Sequence, residues 1–189
     1  MIRSAARVGD AAIVIATENR LEALARRLFH EDRASNLDSH QHPYVALDAS
    51  ELLAMCRSGG AVDLSRLKAS IQNLLSQVAG PHGETQRRLF IYGELVALLC
   101  AEGRFDAALE LERIWDEFGR TWMFSLLCGY PIRQFDKPGF EKFFIRICAT
   151  HATVSPPESY PSVACERRIA YAIANSSWLL DQNRHFPPT

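Results

Sequence analysis

The sequence predicts an α/β fold with a mostly parallel central sheet flanked by helices. Residues 11–17 (AAIVIAT) form an unbroken apolar run, which is typical of a strand buried on both faces. Further strand-like runs alternate with segments of helical periodicity, and this alternation favours a doubly wound parallel sheet. With 189 residues, the chain can bury a sizeable core without disulfides or metals.

The first two strands are each followed directly by a helix signal. Thr17 is the predicted N-cap of a helix whose apolar residues recur at helical spacing over 21–28. A second short strand is predicted at 44–47, and Asp48 and Glu51 form a capping box that opens a helix ending near Gly59-Gly60.

The clearest helix follows Asp63 and keeps one apolar face over four turns, until Gly80 and Pro81 stop it. The segment 30–42 is polar and unpatterned, which predicts a surface loop. The remaining predicted elements are a strand at 89–92, helices at 95–101 and 105–118, a strand at 123–128, and helices at 140–147 and 162–180.

We expect one α/β domain over residues 1–155, and a Pro-rich link with a C-terminal helix over 156–189. That helix is either a connector or a terminal helix docked on the sheet.

Composition argues against several functional classes. The net charge of −1 predicts no direct nucleic-acid partner and no attraction to an anionic membrane. No apolar run reaches the roughly 18 residues that cross a bilayer. The five cysteines lack paired spacing and follow no signal peptide, so we expect free thiols in a reducing cytoplasm.

Nucleotide chemistry is not expected from the motifs. A phosphate-binding loop needs the pattern GxxxxGK[ST], and a dinucleotide site needs GxGxxG after a strand. The sequence contains neither pattern. We therefore expect no P-loop and no cofactor.

Ligands of parallel sheets bind beyond the carboxyl ends of the strands. Glu94 directly follows a predicted strand and a glycine, and it either contacts a ligand or caps the helix that begins at Leu95. The aromatic residues nearby line a cavity or belong to the core. The candidate ligand-binding residues are Thr17, Tyr92, Glu94, Trp115, Cys128 and Tyr130.

Two other chemistries have weaker support. Cys128 with His151 and Glu94 would provide a nucleophile, a base and an orienting group, although a cysteine that ends a buried strand is usually a core residue. His40 and His42 could chelate zinc together with His30 or His82, but histidines in a polar loop are more often ordinary surface residues. We predict no metal site.

Several segments share their order and spacing with one known family. They are residues 7–17 (RVGDAAIVIAT), 44–53 (YVALDASELL), 92–99 (YGELVALL), 102–103 (EG), 107–112 (AALELE), Trp115 and 125–131 (SLLCGYP), with His151 trailing. Together they resemble the MEDS domain, a sensory module named for methanogens, methylotrophs and a dichloromethane-response regulator. The family's pattern begins with a further strand and helix before the position of Ala5, and the resemblance does not include them.

The resemblance implies a RecA-like three-layer sandwich without a P-loop, related to the circadian-clock ATPases. It also implies a non-catalytic cytoplasmic sensory domain of prokaryotic signal transduction. Such a domain would bind a small organic, hydrocarbon-derived ligand and act on a signalling partner such as a histidine kinase or a regulator. The alternatives are a ligand-free protein–protein interaction module, which includes a homodimer, and a cysteine-dependent enzyme.

Overall fold

The computed structural model describes residues 10–31, 44–80, 88–130 and 140–151. The chain divides into two compact units, Met1–Tyr130 and Pro131–Thr189. The predicted link and helix over 156–189 lie outside the described residues, as do His40, His42 and His82.

The described helices and strands follow the predicted order closely. The first unit contains β1 (Ala11–Ala16), α1 (Glu18–Glu31), β2 (Tyr44–Asp48), α2 (Ala49–Met55), β3 (Arg57–Ser58), β4 (Ala61–Val62), α3 (Leu64–Ala79), β5 (Leu89–Gly93), α4 (Leu95–Ala101), α5 (Phe105–Gly119) and β6 (Phe124–Cys128). The described part of the second unit contains α6 (Phe140–Thr150). No helix in the described ranges has the length and apolarity needed to cross a membrane.

Four strands form an all-parallel sheet in the order β2-β1-β5-β6. One row of Cα partners crosses the whole sheet, from Val45 through Ile13 and Ile91 to Leu126. All six residues of β1 are buried, which requires cover on both faces of the sheet. The predicted α/β class, with a parallel central sheet flanked by helices, is confirmed.

One predicted boundary is wrong. Helix α2 ends at Met55 rather than near the glycine pair, and an antiparallel hairpin of β3 and β4 follows it. Gly59 and Gly60 form the turn of this hairpin with φ angles of 57° and 80°. A two-residue hairpin turn needs a positive φ at both central residues if its twist is to match that of the two strands. Glycine adopts a positive φ without strain.

Helix α3 is specified by a polar cap residue at its start and by one apolar face. The Asp63 carboxylate accepts a hydrogen bond from the backbone N–H of Arg66 at 3.0 Å, which caps the first turn. One face then buries Leu67, Ile71 and Leu75, which lie four residues apart.

The strand order gives the sheet a topological switch point. From β1 the chain goes to β2 on one side and then crosses to β5 on the other side, so the connections diverge at the β1–β5 pair. The carboxyl ends of β1 and β5 therefore border the topological switch point, where open α/β sheets usually bind ligands. We call this place the switch-point crevice.

In the second unit, α6 is the described helix. Phe143, Ile147 and Cys148 are buried side chains of this helix. The His151 Nδ1 atom lies 2.8 Å from the carbonyl oxygen of Ile147 and 3.2 Å from Thr150 Oγ1.

Candidate functional site

Glu94 occupies the switch-point crevice and is only 6% exposed. Its Oε2 atom accepts hydrogen bonds from the backbone N–H of Thr17 at 2.9 Å and from the Thr17 hydroxyl at 3.0 Å. Its Oε1 atom accepts from Arg20 Nε at 3.1 Å and from the Tyr92 hydroxyl at 2.8 Å. We call these four residues the Glu94 network.

The register of β1 and β5 brings these residues together across 77 positions of sequence. Gly93 pairs with Ile15, and the backbone N–H of Glu94 donates to the Ile15 carbonyl at 2.9 Å, so the ladder continues to the end of β1. Thr17 follows β1 directly, and Arg20 lies in the first turn of α1. Each member therefore comes from a strand end or a helix start at the crevice.

The network holds Glu94 ionised. Burial by itself would raise the pKa of Glu94, but the hydrogen bonds from Thr17, Tyr92 and Arg20 outweigh it and leave the pKa below its usual value. Burial and the bond to Glu94 raise the pKa of Tyr92, so the phenol keeps its proton and donates it. Of the two roles considered for Glu94, capping of α4 does not occur, because its side chain makes no cap hydrogen bond.

Thr17 makes a contact in addition to its predicted position as the N-cap of α1. Helix α1 begins at Glu18, as the N-cap prediction required, but the Thr17 hydroxyl donates to Glu94. The same side chain thus links the start of α1 to the end of β5.

Gly129 lies against the Tyr92 phenol at the end of β6. A Cβ atom at position 129 would lie 2.3 Å from Tyr92 Oη and 2.8 Å from Tyr92 Cζ, closer than real side chains approach. The backbone N–H of Gly129 is fixed by a 2.9 Å hydrogen bond to the Gly93 carbonyl. A larger residue at position 129 would therefore force the Tyr92 ring or the backbone to move.

A second carboxylate is buried beside the end of β6. Glu112, on α5, is 4% exposed, and its Oε1 atom accepts a 2.5 Å hydrogen bond from the Tyr130 hydroxyl. The Cys128 Sγ atom lies within 4.8 Å of the Glu112 carboxylate. We call Glu112, Cys128 and Tyr130 the Glu112 network.

The surroundings of Glu112 keep the Cys128 thiol and the Tyr130 phenol protonated. Burial, and then the charge of Glu112, raise the pKa values of Cys128 and Tyr130 well above their usual range. The same two causes raise the pKa of Cys100 to about 12. A thiol that keeps its proton near neutral pH is a poor nucleophile.

Trp115 lies in an aromatic core cluster. Its ring packs edge-on against Phe118 at 5.9 Å and against Phe124 at 6.1 Å between ring centroids, and it is 4% exposed. These contacts agree with the alternative that the aromatic residues belong to the core.

The structure brings Thr17, Tyr92 and Glu94 into one network, and it places Cys128 and Tyr130 in the other. Sequence reasoning missed Arg20 and Glu112 as members of these sites. Arg20 carried a usable signal, because a cation four residues after the end of β1 reaches the same edge as Glu94. Glu112 carried one too, since its charge interrupts the apolar face of α5.

In comparisons with known proteins, no family model, no curated protein and no solved structure matches the chain. The fold and the crevice define the class: an α/β protein with a parallel sheet whose switch point holds a buried, ionised carboxylate. The resemblance to the MEDS domain rests on the sequence segments alone.

Proposed function

We propose that the protein is a non-catalytic sensory domain of the MEDS type, which binds a small organic, hydrocarbon-derived ligand at the switch-point crevice. The observation that carries this proposal is the Glu94 network, an ionised carboxylate with four donors in the place where open α/β sheets bind ligands. Buried charges with perturbed pKa values gather at functional sites more often than elsewhere.

Arg20 gives the crevice a group that can meet a ligand. Glu94 already uses both oxygens, so its role is to position Arg20 and Tyr92. Only Nε of Arg20 is engaged among the described residues, and its side chain is 54% exposed. Within the described ranges the terminal guanidinium nitrogens make no hydrogen bond, and in the proposed site they meet an acceptor group on the ligand.

The proposal places the domain in the cytoplasm, where a histidine kinase or a regulator receives its signal. The four described cysteines are free thiols, which agrees with a reducing compartment. Ligand binding would shift the population of conformers that the partner recognises.

A thermal-shift screen tests whether such a ligand exists. The panel contains short alcohols, halocarbons, small organic acids and ATP, and native mass spectrometry of the purified protein detects any retained molecule. A compound that binds the folded state raises the melting temperature, and we expect an organic compound rather than ATP to do so. Stabilisation by ATP alone, or by no compound, would contradict the proposal.

Tyr130→Ala tests the predicted lining of the site. We expect this variant to lose the stabilisation by the active compound, whereas the matched control Tyr44→Ala, at an exposed position on β2, retains it. Equal stabilisation in both variants would remove Tyr130 from the site.

A second candidate is the ligand-free interaction module. Met123, directly before β6, is 59% exposed, and Leu127, on β6, is 49% exposed; β6 is an edge strand of the described sheet. Exposed apolar groups on an edge strand favour association. Light scattering should then show an oligomer that Leu127→Lys dissociates, and a monomer at all concentrations would argue against self-association.

A further inference from the structure

The two carboxylate networks meet at the chain segment that follows β6. Gly129 packs against the Tyr92 phenol of the Glu94 network. Tyr130, the next residue, donates its hydroxyl to Glu112. Gly129 and Tyr130 are consecutive, so one short segment connects Glu94, which follows β5, with Glu112 on α5.

The contact at Gly129 leaves little freedom for independent movement. A Cβ atom there would lie 2.3 Å from Tyr92 Oη, so the phenol already fills the space beside the glycine. The Gly129 N–H is held by the Gly93 carbonyl at 2.9 Å, which ties the segment to β5. A displacement of the Tyr92 ring toward Gly129 must move this peptide, because packed interiors do not compress.

Tyr130 directly follows that peptide in the chain, and its side chain is anchored at the far end. Its hydroxyl bonds to Glu112 at 2.5 Å, and the Glu112 side chain is 4% exposed. A buried hydrogen bond to a charged group fixes the geometry of both partners and is costly to lose. Tyr130 is also the last residue of the first compact unit, so the chain leaves this unit directly after it.

We propose that Gly129 and Tyr130 couple the two networks, so that a ligand which moves the Tyr92 phenol also alters the hydrogen bond between Tyr130 and Glu112. The ligand in this statement rests on the proposed function. The coupling itself belongs to the protein without ligand and is measured there. It provides a physical route from the switch-point crevice to the end of the first unit.

Fluorine NMR of the full chain tests the coupling. All five tyrosines are replaced by 3-fluorotyrosine, and the Tyr130 signal is assigned with Tyr130→Phe. Tyr92→Phe removes the hydroxyl that anchors the ring beside Gly129. The matched control is Thr17→Val, which also removes one donor to Glu94 but leaves the Tyr92 hydroxyl in place.

We expect the Tyr130 signal to shift or broaden in Tyr92→Phe and to stay close to its wild-type position in Thr17→Val. Gly129→Ala should move the Tyr92 and Tyr130 signals together. Its control is Gly119→Ala, where a Cβ would meet only Phe124 Cζ, at an ordinary 3.9 Å.

Equal effects of Tyr92→Phe and Thr17→Val on Tyr130, or no effect of either, would overturn the coupling. If Gly129→Ala does not fold, the comparison of Tyr92→Phe with Thr17→Val still gives the answer. Failure here leaves the thermal-shift screen unaffected, because that screen measures ligand binding and not the response of Tyr130.

Discussion

Glu94 illustrates at the residue scale how a buried charge is accommodated. Removal of a carboxylate from water is costly unless it is paired and hydrogen-bonded. Two bonds from Thr17, one from Tyr92 and one from Arg20 meet that requirement. The sequence placed Glu94 at the carboxyl edge of the sheet, but its partners depend on the register of β1 with β5, which local patterns do not encode.

Glu94→Gln should destabilise the protein in a pH-dependent way. Because its folded pKa lies below the ordinary value of 4.5, Glu94 stabilises the folded state above that pH and loses this effect as the pH falls below it. Urea unfolding should show a loss of about 2 kcal/mol at pH 7, the scale of hydrogen bonds to charged groups. The loss should shrink toward pH 3.

The matched control is Glu110→Gln, which removes an exposed ion pair with Arg113 on α5. We expect it to change the unfolding free energy by less than about 1 kcal/mol. A Glu94→Gln effect that is equally large at every pH would show that the carboxylate charge is not the cause.

Gly129→Ala should destabilise the protein by about 1–3 kcal/mol, the usual effect of forcing an extra methyl group into a packed site. The methyl group collides with Tyr92. In a Tyr92→Ala background the obstacle is gone, so the same substitution should cost much less. Thermal denaturation of the four proteins measures this difference, and additive effects would argue against the collision.

At the scale of helices and strands, local signals in the sequence predicted most of the described elements. Apolar periodicity and caps predicted β1, α3 and the helices that follow β5, because these signals act within a few residues. The hairpin of β3 and β4 was missed because the pair Gly59-Gly60 was interpreted as a helix stop. A glycine pair can end a helix or form a hairpin turn, and only the pairing of the flanking strands distinguishes the two cases.

Asp63→Ala should destabilise the protein by about 1 kcal/mol through loss of the α3 cap. The Asp63 side chain accepts the Arg66 N–H at 3.0 Å. Asp63→Asn keeps an acceptor oxygen and should retain most of the stability in thermal denaturation. No difference between Asp63→Ala and wild type would mean that the cap contributes little.

At the scale of the whole molecule, the sequence predicted the fold class and the edge of the sheet that carries the candidate site. It did not predict the strand order, since pairing between strands far apart in sequence leaves no local trace. That order places the ends of β1 and β5 side by side, and the Glu94 network follows from it. The close contact between Gly129 and Tyr92 depends in the same way on the pairing of β5 with β6.

Isothermal titration calorimetry on three proteins would establish whether the switch-point crevice is the binding site. The most strongly stabilising compound of the thermal-shift panel is titrated into wild type, Glu94→Gln and the control Glu110→Gln. We predict that Glu94→Gln weakens binding at least about tenfold, equivalent to about 1.4 kcal/mol, because Arg20 and Tyr92 lose their anchor. Glu110→Gln should bind like wild type, and equal affinity in all three proteins would contradict a site at Glu94.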